Sequence, residues 1–275
     1  MTPAPPQATH RDQPRAIGSA RLATKARDGG SHIAALHQSG ASKLLFPRSR
    51  TAVTAILVNT AGGVTGGDRF ELSGRAGRDS ALVLTTQAAE RVYRAQDGQT
   101  GCVTTRLEAE ADARLHWLPQ ETILFEGAAL HRSLTVDLAE TARFVMVEPL
   151  IFGRTARGED LRAIRFDDRV EVRRAGRPLF RDGLHLHGDV AAQLDRPAIG
   201  GGARAMASVL VCAPEAEAQM RCLQGLIEGR GGASLLSDGV LHLRLLARDG
   251  FELRQVLLPV LGRLTDDRLP TSWRL

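Results

Sequence analysis

At 275 residues, 43% hydrophobic and 24% charged, the chain has the composition of an ordinary globular protein with enough length for a sizeable core. The net charge of +5 invites a nucleic-acid reading, but Lys occurs only at Lys25 and Lys43, and the Arg residues are scattered among acids. No basic stripe forms, and one Tyr with two Trp leaves little to stack on bases, so we expect no nucleic-acid partner.

The first 16 residues, MTPAPPQATHRDQPRA, are polar and Pro-rich and lack the apolar stretch of a signal peptide. They read as a disordered tail before a single domain over 17–275. From there the pattern is mostly period two. ALVLTTQ (81–87), CVTTRLEAE (102–110), ARLHWLP (113–119), RSLTVDL (132–138), RFVMVEP (143–149) and RVEVRR (169–174) alternate or run apolar over strand lengths. Gly, Asp and Pro separate them at the spacing of an all-β sandwich, barrel or stacked-sheet solenoid, although no repeat of fixed length is visible.

Helical signals are few. A short helix is expected around 88–96. PEAEAQMRCLQGLIEG (214–229) places Ala216, Met220, Leu223 and Ile227 on one helical face, with acids in its first turn and Gly229 suited to its end. VLHLRLLA (240–247) reads as a strand. FELRQVLLPVLGRL (251–264) reads as a further helix that Pro259 would kink or interrupt.

Three cysteines, Cys102, Cys212 and Cys222, lie far apart without C-x-x-C spacing. They support neither a disulfide framework nor a zinc site and suit a reducing compartment. No apolar run approaches the roughly 20 residues of a membrane helix. A cytoplasmic address with no membrane contact follows as the expectation.

The segment NTAGGVTGGD (59–68) contains G-x-x-x-x-G, the skeleton of a phosphate-binding loop. The next two positions should be Lys and Ser/Thr, and they are Asp68 and Arg69. A carboxylate in place of the phosphate-facing ammonium repels the ligand. The glycines then serve either a tight turn between strands or a close approach of backbone to a ligand, with Asp68 at its rim. No G-x-S-x-G elbow and no H-E-x-x-H zinc motif occurs. His185 and His187 stand at i and i+2, on one face of a strand, where they can bind Ni²⁺ or Zn²⁺ with further ligands. Two exposed strand residues account for them equally well. TTQAAERVYR (85–94), HWLPQETILFEGA (116–128) and EPLIFGRTARGE (148–159) carry Glu90, Glu121, Glu148 and Glu159 amid apolar residues. Such acids are either solvated or paired with Arg, or they are oxygen ligands lining a polar passage and holding a borderline cation loosely.

At these phrases the chain resembles the urease accessory protein family UreD, also called UreH. NTAGGVTGGD, TTQAAERVYR, WLPQETILFEGA and EPLIFGRTARGE occur in the family's order, and the PTSWRL ending is similar as well. The likeness is specific from about Leu45 to Leu186 and looser beyond. It implies a mainly β, β-helix-like stack of strands with two or three helices. It further implies a non-enzymatic scaffold in a hetero-oligomeric complex with UreF, the GTPase UreG and apo-urease. That complex assists nickel delivery, with the GTP chemistry belonging to UreG. No cofactor would be bound tightly and nickel would pass transiently. By position within the matching phrases, Asp68, Glu90, Glu121, Glu148 and Glu159 are the candidate residues of its route, and His185 and His187 join them from their strand spacing. A rival reading, a metal-dependent hydrolase on a β-rich fold, would need a preformed metal site with an open position and turnover without partners.

Overall fold

The computed structural model describes residues 14–49, 51–154, 157–266 and 268–274. The tail expected over 1–16 lies outside the described residues as far as residue 13. Its last residues are tied down: Arg15 donates to Gln96 Oε1 at 2.8 Å and the Ala16 N–H to Asp68 Oδ1 at 2.8 Å.

Strand β1 (Ile17–Arg27) forms a hairpin with β2 (Gly30–Gly40), and β3 (Ser42–Leu45) follows. The chain then coils. Each turn runs along one sheet, crosses a narrow third face and returns along the other sheet. The first turn is β4 (Val53–Asn59), the bridge residue Val64 and β5 (Arg69–Ala76). The second is β6 (Ala81–Thr86), β7 (Glu90–Val92) and β8 (Gly101–Ala109). The third is β9 (Arg114–Leu118), β10 (Thr122–Leu124) and β11 (Ala129–Leu138). In the fourth, β12 (Arg143–Phe152) serves both the second sheet and the third face before β13 (Ile164–Arg174). Equivalent strands of successive turns pair in parallel. The stacked-strand architecture is therefore the one expected. Val53 lies beside Leu82, Ala81 beside Arg114, and Arg114 beside Arg143, so the turns differ in length. That inequality hides the repeat from a search for a fixed period.

Antiparallel β14 (Arg177–Gly188) extends the first sheet, and β15 (Ala205–Cys212), β17 (Val240–Ala247) and β16 (Gly231–Ser237) extend the second. Helices α1 (Val190–Asp195), α2 (Ala216–Leu226) and α3 (Gly250–Leu264) complete the described elements with a 3-10 turn at Thr271–Trp273. Among the described residues, no helix is long and apolar enough to cross a membrane.

One core fills the coil between the sheets, with Leu82, Leu115, Phe144 and Val172. A second lies on the outside of the second sheet, where Val145, Val209, Leu243 and Leu245 meet Leu257, Leu261 and Trp273. Because both faces of β12 are covered, its sequence is an apolar run. The first sheet keeps one face in solvent, so β13 alternates.

The helix expected around 88–96 does not form, and the segment supplies β7 instead. Its backbone is committed to neighbouring turns: the Glu90 N–H donates to the Glu121 carbonyl and the Tyr93 N–H to the Val64 carbonyl, each at 2.8 Å. Val92 is wholly buried there, and burial of a β-branched side chain outweighs a weak local helical preference. α2 and α3 form where expected. Asp249 caps α3 by accepting from the Glu252 N–H at 2.8 Å, and the helix continues past Pro259.

Candidate functional site

The glycine segment is a turn onto the third face. Asn59 Oδ1 accepts from the Ala61 N–H at 2.9 Å and Asn59 Nδ2 donates to the Gly63 carbonyl at 2.8 Å. Gly63, at φ 152°, has no room for a side chain, because an added Cβ would lie 2.3 Å from the Tyr93 ring. A strand follows the segment where a phosphate-binding loop would open a helix, so its N–H groups are not gathered at a helix N-terminus.

Inside the coil, under this turn, lies a cavity whose wall is mostly apolar, with Leu57, Val64, Phe70, Leu72 and Leu130, and to which Asn59, Glu90, Trp117, Thr122, Arg132 and Glu148 add polar groups. Its volume is about 80 Å³. That is room for a small ion with a few waters, and well short of the several hundred Å³ of an organic-ligand site. The strands aim these groups inward by simple alternation. Arg132 falls in phase with Leu130, Leu134 and Val136, and Asp168 in phase with Phe166, Val170 and Val172.

Arg132 donates from Nε to Asp168 Oδ1 at 2.9 Å and from Nη2 to Oδ2 at 2.6 Å. Its Nη1 reaches Thr122 Oγ1 at 3.1 Å and lies 2.6 Å from Glu148 Oε2. Burial alone would lower the guanidinium pKa; the two carboxylates outweigh it and hold the pKa above the usual arginine value. Glu148 Oε1 accepts from Trp117 Nε1 at 2.6 Å. Its Oε2 has the charge of Arg132 beside it but no aligned hydrogen bond, and burial pushes its pKa upward against the pull of Arg132. Two carboxylates therefore share one cation in a region from which water is largely excluded.

Glu90 differs from the other acids. Its carboxylate accepts from Asn59 Nδ2 at 3.2 Å on both oxygens. Burial pushes its pKa up to about 7, with the Asn59 hydrogen bond acting in the opposite direction.

The remaining candidates have definite partners elsewhere. Asp68, 4% exposed, accepts from the Ala16 N–H on Oδ1 and from the Thr65 N–H on Oδ2, each at 2.8 Å. It ties the glycine turn to the start of β1. Glu121 accepts from Arg254 Nη1 at 3.0 Å, and Arg254 also donates to the Trp273 carbonyl at 3.0 Å, fastening α3 and the chain end to the coil. Glu159 accepts from Arg154 Nη2 at 2.6 Å, and that bond holds its pKa below the usual carboxylate range. His185 and His187 lie on the solvent face of the first sheet. His185 Nδ1 and His187 Nε2 each meet Asp167 Oδ1, at 2.8 and 3.0 Å. The structure thus brings Glu90 and Glu148 to one cavity and leaves Asp68, Glu121, Glu159 and the two histidines outside it. Among the described residues, no group of three His, Cys, Asp or Glu side chains is arranged to hold a metal ion.

Arg132, Asp168, Asn59 and Trp117 were not among the residues picked from the sequence. For Arg132 and Asp168 a signal existed: each is a charged residue at a core-facing position of an alternating strand.

Comparison with known proteins assigns the chain. The UreD urease accessory protein profile matches residues 16–274. The chain belongs to the UreD family. It is 59% identical to the urease accessory protein UreD of Roseobacter denitrificans over 268 residues, covering 98% of both chains. It is 55% identical to that of Ruegeria sp. strain TM1040, covering 95% of this chain and 91% of the relative. For the Rhizobium leguminosarum bv. viciae protein the identity is 44%, with 95% and 96% covered. These relatives are named for a supporting role toward urease, so this chain's place is among urease accessory proteins.

Proposed function

We propose that this chain works with UreF and the GTPase UreG as a non-catalytic scaffold that assists nickel delivery into apo-urease, the ion passing along the few polar groups of the internal cavity. The observation that carries the reading is the internal cavity with Glu90 at its wall. Among the described residues, this carboxylate's only side-chain hydrogen bonds come from Asn59. One or two carboxylates hold a borderline cation without caging it, which suits transfer rather than storage. Arg132 is part of the same design: by balancing Glu148 and Asp168 it keeps the interior from trapping the ion as a four-oxygen site would. Asp68, Glu121 and Glu159 lie outside the cavity and brace the surrounding chain through their backbone and arginine partners. His185 and His187 offer nickel only two imidazoles on the solvent face, a passing first contact from outside.

The test is urease activation in cells that express apo-urease with its accessory proteins, with and without this chain, scored as nickel per urease active site. Loading is expected only with the chain present; equal loading in both would overturn the scaffold reading. Glu90→Gln is expected to slow nickel loading while the variant still co-purifies with the partners. Unchanged loading would overturn the assignment of the route.

A further inference from the structure

Strand β2 stands at the end of the first sheet, so its outer edge carries no strand among the described residues. Its sequence, GSHIAALHQSG, spans 11 residues without a Pro, Lys, Arg, Asp or Glu, the residues that commonly blunt such an edge. Ile33 and Leu36 are 40% and 45% exposed.

The pairing with β1 skips Ala34: Ala23 faces Ala35 and Thr24 faces Ile33. This bulge changes the geometry of the edge. Three positions apart, Ile33 and Leu36 would otherwise point to opposite faces; instead they lie opposite the buried Thr24 and Leu22 and share the inner face. His32 and His37, opposite Lys25 and Arg21, share the outer one. The segment His32-Ile33-Ala34-Ala35-Leu36-His37 therefore has the same pattern of side chains read in either direction.

We propose that β2 pairs with β2 of a second copy of this chain, antiparallel about a two-fold axis between Ala34 and Ala35. Ile33 of one copy then faces Leu36 of the other on the inner side, Ala34 faces Ala35, and His32 faces His37 on the outer side. A closed two-fold contact of this kind uses each pair twice. The uncharged strand lets two molecules of net charge +5 meet without direct charge opposition at the seam. A single strand edge buries an area at the low end of specific interfaces, so the dimer is weak and reversible.

Sedimentation velocity of the full chain over a concentration series tests this. A reversible monomer–dimer equilibrium is expected. Leu36→Lys, at an exposed position, is expected to raise the dimer Kd by about tenfold or more, since symmetry counts the change twice. A second measurement fixes the register. With the exposed Cys222 changed to Ser, the double variant His32→Cys and His37→Cys is expected to form an intermolecular disulfide that neither single variant forms efficiently. A monomer throughout the series, a dimer indifferent to Leu36→Lys, or cross-linking equal in the single variants would overturn the proposal. So would amide protection of β2 that arises only on binding another protein, which would assign the edge to a foreign strand.

Discussion

The guanidinium of Arg132 grips the carboxylate of Asp168 with two parallel hydrogen bonds, at 2.9 and 2.6 Å, and the same side chain stands 2.6 Å from Glu148. Three strands from successive parts of the coil, β11, β12 and β13, are joined at this point. Arg132→Met leaves two buried carboxylates without their cation and is expected to lower stability by about 3–5 kcal/mol. Replacing all three residues with apolar ones of similar volume is expected to restore much of that loss. Urea denaturation of the single and triple variants checks both.

Glu90 gives a pH-dependence of stability with a definite sign. Its folded pKa of about 7 exceeds the ordinary 4.5, so between these values the folded chain holds a proton that the unfolded chain has released. Stability from this group is greatest below pH 4.5 and falls as pH rises toward 7. The fall is of the order of 3 kcal/mol at most. Glu90→Gln is expected to remove this slope, seen as a Tm difference from the parent that changes between pH 5 and pH 7.

His116 works in the opposite sense. Burial chiefly, with Arg114 adding to it, lowers its pKa from 6.5 to about 4, so in that interval the unfolded chain binds the extra proton. Stability from this group is present above pH 6.5 and is lost as pH falls toward 4. The slopes of Glu90 and His116 oppose each other where their ranges overlap. A His116→Gln chain is therefore expected to lose less stability than the parent on acidification from pH 6.5, measured by chemical denaturation at each pH.

Asp68 offers a local test of a structural role. Asp68→Ala removes both acceptors that join the Thr65 and Ala16 N–H groups. A cost of about 2 kcal/mol or more is expected, from charge-assisted hydrogen bonds lost at a buried position. Hydrogen exchange should quicken at Thr65, Ala16 and the start of β1 while the helices keep their protection.

Trp273 is wholly buried near the chain end and donates from Nε1 to the Leu118 carbonyl at 2.9 Å. Trp273→Ala is expected to cost about 3–5 kcal/mol. It should also loosen Arg254 from Glu121, detectable as faster exchange in α3.

Seven of the seventeen described strands, β6, β8, β9, β11, β12, β13 and β17, were legible in the sequence because the alternation of apolar and polar residues follows from which face of each strand is buried. The character of α2 and α3 was legible from helical spacing and end signals. The glycine turn was legible too: Asp68 in the lysine position already argued against a phosphate loop. The family was equally plain, since four long phrases fall in order. Tertiary structure alone decided three things. It turned 88–96 from an expected helix into β7, because hydrogen bonds to Val64 and Glu121 tie it to the turns of the coil before and after it. It brought Asn59, Glu90, Arg132 and Glu148 to one cavity, because stacking places residues dozens of positions apart on adjacent strands. It also gave Asp68, Glu121 and Glu159 their partners. A carboxylate in a sequence has no fixed environment; whether it meets an arginine, a backbone N–H or an open cavity depends on what the fold packs against it.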